Sequence, residues 1–287
     1  MTTASVPAPA PARRRGSGRR LSGSLITGMV LVGLVILMAL MSFIWTPYDP
    51  TVTTPDRYLT PSLSHLLGTD ALGRDVFSQL LYGARTTLYV GIIAVGVAAL
   101  LGVPFGILAA AGPRWANELI MRGIDLMLAF PALLLAIILG AALGVSTFSA
   151  MVAIGIATAP AFARLARSGT LQVLSTEYVT AARISRRGPF AIAWRHVLPN
   201  IAPVLIVQAS VSYGVAVLAE SGLSYLGYGT PPPTPTWGRM LQEAQTAMFS
   251  QPLLVVWPSV AIIVAVLGFN LLGDGLRDRF DPKMEDR

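Results

Sequence analysis

Six stretches of the chain are apolar enough, and nearly long enough, to cross a bilayer as helices. They run from Ser24 to about Thr46, then approximately over 86–110, 124–143, 147–163, 200–222 and 253–273. A spanning helix needs about 20 predominantly apolar residues, the length these runs approach. Prolines fall inside five of them (Pro104, Pro131, Pro160, Pro203 and Pro258), which neighbouring helices make tolerable by satisfying the freed carbonyls. Small residues recur four apart, as in Gly102/Gly106 and Gly155/Ala159, the spacing that lets helix backbones approach closely. The pattern predicts an all-α integral membrane protein, a bundle of six transmembrane helices.

The polar segments between the runs organise the rest. Residues 1–23 alternate Ala and Pro and then cluster Arg13, Arg14, Arg15, Arg19 and Arg20, the composition of a disordered basic cytoplasmic tail. A signal peptide is the alternative, but the 24–46 run is longer than a signal core and lacks a small-x-small cleavage site. It reads as the first transmembrane helix, with Trp45 and Tyr48 at its interfacial exit. In the loop 47–85, Val76, Phe77, Leu80, Leu81 and Ala84 share one helical face, predicting an amphipathic helix along the outer membrane surface. Residues 86–273 form the core, with an inner loop at 164–199 and an outer loop at 223–252; 274–287 is a cytoplasmic tail. The run Pro231-Pro232-Pro233-Thr234-Pro235 is a stiff loop or a polyproline ligand, and the outward placement favours the loop.

Charge sets the orientation. Of 21 Lys and Arg residues, an N-in arrangement puts five inside at 13–20, two at Arg114 and Arg122, six from Arg164 to Arg195 and four from Arg277 to Arg287. That makes 17 inside; Arg57, Arg74, Arg85 and Arg239 lie outside. Arginine and lysine accumulate in cytoplasmic loops, so both termini are expected inside. The formal charge of +7 is then topology, with no nucleic acid required. Only 12% of residues are charged, about half the share of a soluble domain.

Composition also removes whole classes of chemistry. The one lysine, Lys283, cannot belong to a GxxxxGK[ST] loop, so any ATP hydrolysis resides on another polypeptide. There is no cysteine, which excludes disulfides and thiolate chemistry. No catalytic motif is visible, and the cores of the spans hold no Asp, Glu, Lys, Arg or His. The ionisable residues nearest the spans, Asp125, Arg164, Glu220 and Asp274, stand at their ends. A self-contained ion-coupled carrier needs such groups near mid-membrane. His65 with Asp70 and Asp75 matches no metal-ligand spacing; Gly68-Thr69-Asp70 reads as a turn.

In the inner loop, Ser175 is the expected N-cap of a short amphipathic helix, Glu177 to Arg183, with the acid at the favourable end of the helix dipole. Gly188-Pro189 interrupt it, a second short helix reaches His196-Val197, and Leu198-Pro199-Asn200 opens the next span. Two such helices, with exposed alanines between an acid and an arginine, suit a groove on a partner. A solvated basic loop accounts for these residues as well on physics alone.

The same residues resemble a known family. Glu177-Tyr178-Val179-Thr180-Ala181-Ala182-Arg183, followed by Gly188 and by Arg195-His196-Val197-Leu198-Pro199-Asn200, is similar to the EAA loop of ABC importer permeases, with the spacing of the peptide/nickel type. Two outer segments resemble its C-type subunit. One is His65-Leu66-Leu67-Gly68-Thr69-Asp70-Ala71-Leu72-Gly73-Arg74-Asp75; the other is Glu220-Ser221-Gly222-Leu223-Ser224-Tyr225-Leu226-Gly227, leading to Trp237-Gly238. The sequence departs from the family where Arg186 replaces the usual loop glycine, where Leu66 replaces proline, and where Gln79 replaces a frequent arginine.

The resemblance implies a type I permease fold in the bacterial plasma membrane. It implies a second, B-type permease subunit, two ATPase subunits that carry ATP and Mg, and an extracytoplasmic substrate-binding protein. Glu177 and Arg183 would make polar contacts with the ATPase, and Ala181 and Ala182 would allow close approach. Implied substrates are di- and oligopeptides, with nickel chelates or glutathione as alternatives. A stand-alone secondary transporter or channel is the reading of a different class.

Overall fold

In the computed structural model, residues 22–280 except Val145 are described. The expected basic tail lies outside them up to residue 21, as do positions 281–287. Ser22 Oγ accepts from Leu25 N (3.3 Å) and starts α1 (Gly23–Ile44). Asp75 accepts from Ser78 N (2.8 Å) and starts α2 (Val76–Ala111). Then come α3 (Arg114–Leu128), α4 (Ala132–Leu143) and α5 (Thr147–Leu174), the last begun by a Ser146/Ser149 capping box. Two short helices follow, α6 (Glu177–Ile184) and α7 (Pro189–Ile192). A π-helical turn, Ala193–Val197, joins α7 to α8 (Leu198–Tyr225); α9 (Trp237–Ala244) and α10 (Leu253–Phe280) complete the chain. Such caps satisfy amide groups that no intrahelical carbonyl reaches.

The small residues work as the sequence suggested. A Cβ at Gly102 would collide with Ala159 O, and one at Gly106 with Ala163 O, so α2 and α5 approach backbone to backbone. They form the most extensive helix pair, followed by α1 with α10. In lipid such contacts are stabilised by close packing more than by water expulsion. Prolines 104, 160, 203 and 258 remain inside helices. The face carrying residues 175–197 is called here the turn face, and that carrying 47–75 and 226–252 the loop face.

Four expectations are corrected. Among the described residues five helices are long and apolar enough to cross a membrane, and a sixth crossing requires counting α3 and α4 as one broken span, bent by 96°. The run 124–143 is therefore not one helix. Pro131 disfavours helical backbone at Phe130, and the polar first half of α3 cannot extend the apolar run of α4. Second, residues 76–84 form no separate surface helix. No breaker follows them, and α2 continues for 36 residues, with Val76, Leu80 and Ala84 packed against Trp237, Met240 and Leu254. Third, Ser175 ends α5, and Thr176 is the N-cap residue of α6. Fourth, Ala182 is buried, because Val179 and Ala182, three apart, face the body of the protein.

The irregular segments are also narrower than expected. Residues 164–174 belong to α5, 198–199 and 223–225 to α8, and α10 extends to Phe280.

Candidate functional site

On the turn face the chain makes a compact knob. α5 ends at Leu174 and α6 begins at Glu177, with only two residues between them. Thr176 turns its hydroxyl back to Val173 O (2.6 Å) rather than capping α6. At the end of α6, Arg186 N donates to Arg183 O (2.9 Å) and Arg187 N to Ala182 O (3.2 Å). That pair of bonds is a Schellman motif, whose C′ residue needs left-handed backbone. Arg186 adopts it, at φ 54°. The turn therefore stays at the position where the EAA loop that the sequence resembles usually has glycine, although arginine stands there. Gly188, at φ −65°, precedes Pro189 as the N-cap residue of α7.

The underside of the knob is apolar. Val179, Ile192 and Val197 pack with Val173, Phe162, Val103 and Ile201. Its outer surface is mixed: Glu177, Tyr178, Thr180, Ala181 and Arg183 are exposed, as are Arg195 and Pro199, and so are the apolar side chains of Ile184, Phe190 and Trp194. The Tyr178 and His196 rings lie 6.0 Å apart and tie α6 to the π turn. That turn arises where Leu198 N bonds Ala193 O, five residues back. Pro199 has no N–H to give, and Asn200 Nδ2 supplies a donor to His196 O (2.6 Å). A cleft of about 300 Å³ opens beneath, between Ile107, Leu174, Arg183, Arg187 and Pro189.

The loop face is held by two linked polar clusters. Asp70 Oδ1 accepts from Leu72 N (2.8 Å) and Arg74 N (2.9 Å), closing the turn. Its Oδ2 accepts from Arg74 Nε (2.7 Å) and Gln79 Nε2 (2.8 Å). Arg74 also pairs with Glu243 on α9, which accepts from Arg239 Nε (2.9 Å). Burial opposes the Arg74 charge, but the carboxylates of Asp70 and Glu243 outweigh it and raise the guanidinium above its ordinary value. In the second cluster Asp75 Oδ1 is 3.0 Å from His65 Nδ1, its Oδ2 accepts from Ser78 N and Oγ, and Tyr48 stacks on His65. Thr69 Oγ1 accepts from Leu59 N (2.8 Å) and donates to Asp56 O (2.6 Å). Gly68 and Gly73 have φ of 82° and 75°, and a side chain on either would strike Leu59 O or Thr54 O.

Trp237, fully buried, donates from Nε1 to Leu80 O (3.0 Å), so α9 is seated on the first turns of α2. Glu220, at 1% exposure, accepts from Ser224 Oγ (2.6 Å) near the loop end of α8. Leu226 is half exposed and Gly227 takes φ 84°.

Comparison with known proteins completes this geometry. Residues 102–286 match the family described as "Binding-protein-dependent transport system inner membrane component". The chain belongs to that family. It is 41% identical over 251 residues to the dipeptide transport system permease protein DppC of Alkalihalophilus pseudofirmus, covering 87% of this chain and 83% of that protein. It is 43% identical over 225 residues to the glutathione transport system permease protein GsiD of Pectobacterium atrosepticum (78% and 75%). The di/tripeptide permease DppC of Pseudomonas aeruginosa is 41% identical over 258 residues (88% and 85%). The protein is thus a multi-pass inner-membrane permease of the ABC type and a transport component rather than an enzyme.

The permease's residues singled out in its sequence fall into these two groups. Those from Glu177 to Pro199 share the knob, and Gly68, Thr69, Asp70, Gly73, Arg74, Asp75, Glu220 and Trp237 gather at the loop face. Glu243, Arg239 and Gln79 join the second group, although the sequence reading gave no role to Glu243 or Arg239. The only hint was local: an arginine and an acid four apart on a short helical stretch. His65, Asp70 and Asp75 do not converge, since Asp70 turns to Arg74 and His65 to Asp75.

Proposed function

We propose that this permease is the C-type subunit of an ATP-driven importer of di- and oligopeptides. It forms the path with a B-type permease, receives substrate from an extracytoplasmic binding protein, and couples through its knob to two ATPase subunits. ATP and Mg reside on those subunits; this chain holds neither cofactor nor metal. Both termini lie in the cytoplasm, as the 17-to-four division of basic residues indicates.

The observation that carries the reading is the construction of the knob. Its outer surface leaves Glu177, Tyr178, Ala181 and Arg183 of α6 exposed, together with Phe190 of α7 and Trp194 of the π turn, while its apolar underside is packed onto α5 and the start of α8. A partner that grips the top moves two long helices with it. ATP must favour one conformation of the assembly, and a rigid connection is what passes that preference to the gate. Ala181 permits close approach, and Ala182 fixes the fit of α6 to the body.

The test uses the complete transporter in vesicles. Glu177→Lys, and separately a bulky residue at Ala182, should leave the chain inserted but abolish ATP-driven peptide uptake. Wild-type uptake by both variants would refute the coupling role. Relatives named for dipeptides and for glutathione are similarly close, and glutathione is itself a tripeptide. Uptake of labelled dipeptide against labelled glutathione separates the two substrates, and a labelled nickel chelate tests the third.

A further inference from the structure

The broken span leaves a helix with two apolar faces and a protein partner on only one. On α3, Ile124 is buried, and Asn117 and Asp125 hold Arg167 Nε (2.8 Å) and Arg164 Nη2 (2.6 Å) of α5. On the opposite face Trp115, Leu119 and Leu126 are 69%, 66% and 66% exposed. At 100° per residue these three and Arg122 fall within about 60° of one another, and Ile124 lies across the helix. Arg114 and Arg122 flank this outer apolar stripe and are themselves exposed, Arg114 pairing with exposed Glu118 (3.4 Å) so that the rim carries two cations and one acid.

The level of α3 is fixed by its partners. Arg164 and Arg167 mark the point where α5 leaves its apolar run for the knob, so α3 lies at the edge of the hydrocarbon on the turn face. The 96° bend between α3 and α4 sets it crosswise to the span direction. An apolar stripe containing tryptophan, rimmed by arginines and set crosswise at that depth, matches an interfacial helix. Arginines at such a level meet anionic headgroups, which attract basic groups near the membrane surface.

We infer that α3 is a monotopic interfacial helix, lying in the headgroup region of the turn-face leaflet with Trp115, Leu119 and Leu126 in lipid and Arg114 and Arg122 at phosphates. Of the third membrane element of this permease only the 12 residues of α4, about 18 Å, then run along the span direction. The occupant of the stripe is lipid, not a second subunit, because its rim keeps a net positive charge, Arg114 and Arg122 against Glu118, and its apolar residues line a helix set at 96° to α4.

The absence of cysteine from the chain makes the test direct. Single cysteines at 115, 119 and 126 are spin-labelled in the complete transporter, with partner cysteines replaced, in phosphatidylethanolamine/phosphatidylglycerol vesicles. Labels at all three should collide with oxygen more than with a water-soluble nickel chelate, at one depth about 5–10 Å below the phosphates. A helix continuing the span would instead separate 115 from 126 by about 16 Å of depth. That gradient, nickel-accessible labels, or labels shielded from both reagents by a partner would each overturn the proposal. Should a cysteine variant fail to assemble, the loss of quenching by brominated lipid in Trp115→Phe relative to the unaltered transporter reads the same contact; an unchanged quenching refutes it.

Discussion

Arg186→Gly should tighten the knob. Arg186 caps α6 at φ 54°, and a side chain in left-handed backbone costs roughly 1–2 kcal/mol. Glycine removes that cost but gives up roughly 0.5–1 kcal/mol more chain entropy on folding. The net gain is about 0.5–1 kcal/mol, or about two- to five-fold in the local opening equilibrium. Arg186 is exposed, so little packing is lost with its side chain. The assay is hydrogen exchange at the Arg187 amide, which donates to Ala182 O across the cap (3.2 Å). Its protection should rise by that factor in Arg186→Gly. Arg186→Gln separates charge from backbone: it removes the cation, keeps the Cβ, and should leave protection unchanged. Arg186→Val should lower it, because β-branching is least compatible with positive φ. Protection that follows the loss of charge, or that fails to rank Gly above Gln above Val, would refute the reasoning.

Other substitutions probe the two ends and the middle. Arg74→Ala leaves the acids Asp70 and Glu243 without their guanidinium and should cost about 2–3 kcal/mol, the exposure of Glu243 trimming the full buried-pair penalty. Adding Glu243→Gln should recover part of that in thermal unfolding; simple addition of the two losses would show the ion pair to be irrelevant. Trp237→Ala should cost about 3–5 kcal/mol by the cavity it opens, whereas Trp237→Phe, which loses the bond to Leu80 O and part of the indole's packing but keeps an aromatic ring, should cost less; an inverted order would refute the seating of α9 on α2. Gly106→Leu must push α5 away at Ala163 O, while Gly96→Leu meets nothing within 4 Å. Only the first should lower the thermal midpoint, and equal effects would contradict the close α2–α5 approach.

The spans were legible because apolar run length is a one-dimensional property. What escaped the sequence reading was decided by neighbours in space. Pro131 looks like Pro104 or Pro160 in sequence, and each of those is carried inside a long helix. Pro131 differs in following Arg114–Asp125, a stretch too polar to continue the run, so the break found no reason to heal. Ser175 and Thr176 are adjacent hydroxyls, and only the carbonyls they reach tell which residue starts α6. The burial of Ala182 was readable from its spacing to Val179, had the helix been assigned a body-facing side. The turn at Arg186 was readable only as a departure from the family's glycine, since arginine carries no signal for positive φ. The Arg74–Glu243 pair joins positions 169 apart, beyond any local pattern.

The mechanical consequence concerns α7, the π turn and α8, which together run unbroken from Pro189 to Tyr225, 37 residues, or about 55 Å. At one end Ile192 and Val197 are packed under the knob. At the other, Glu220 and Ser224 are bonded together, and Ser224 Oγ accepts from Thr230 N (3.3 Å). Gly238, in the first turn of α9, presses on Ser221 so closely that a Cβ would not fit. A rod fixed to both faces carries a displacement of the knob to the loop face as a tilt, not as a local distortion that dies within a turn. Its softer points are those where the backbone ladder is already altered, the π turn before Pro199 and the missing donor at Pro203. Both lie toward the turn end, so bending there would absorb motion before it reached the span. The bonds of Asn200 to His196 O and the Tyr178–His196 contact stiffen the π turn and its junction with α8. Such bracing suits the proposed coupling role of the knob; a merely solvated basic loop has no need of it.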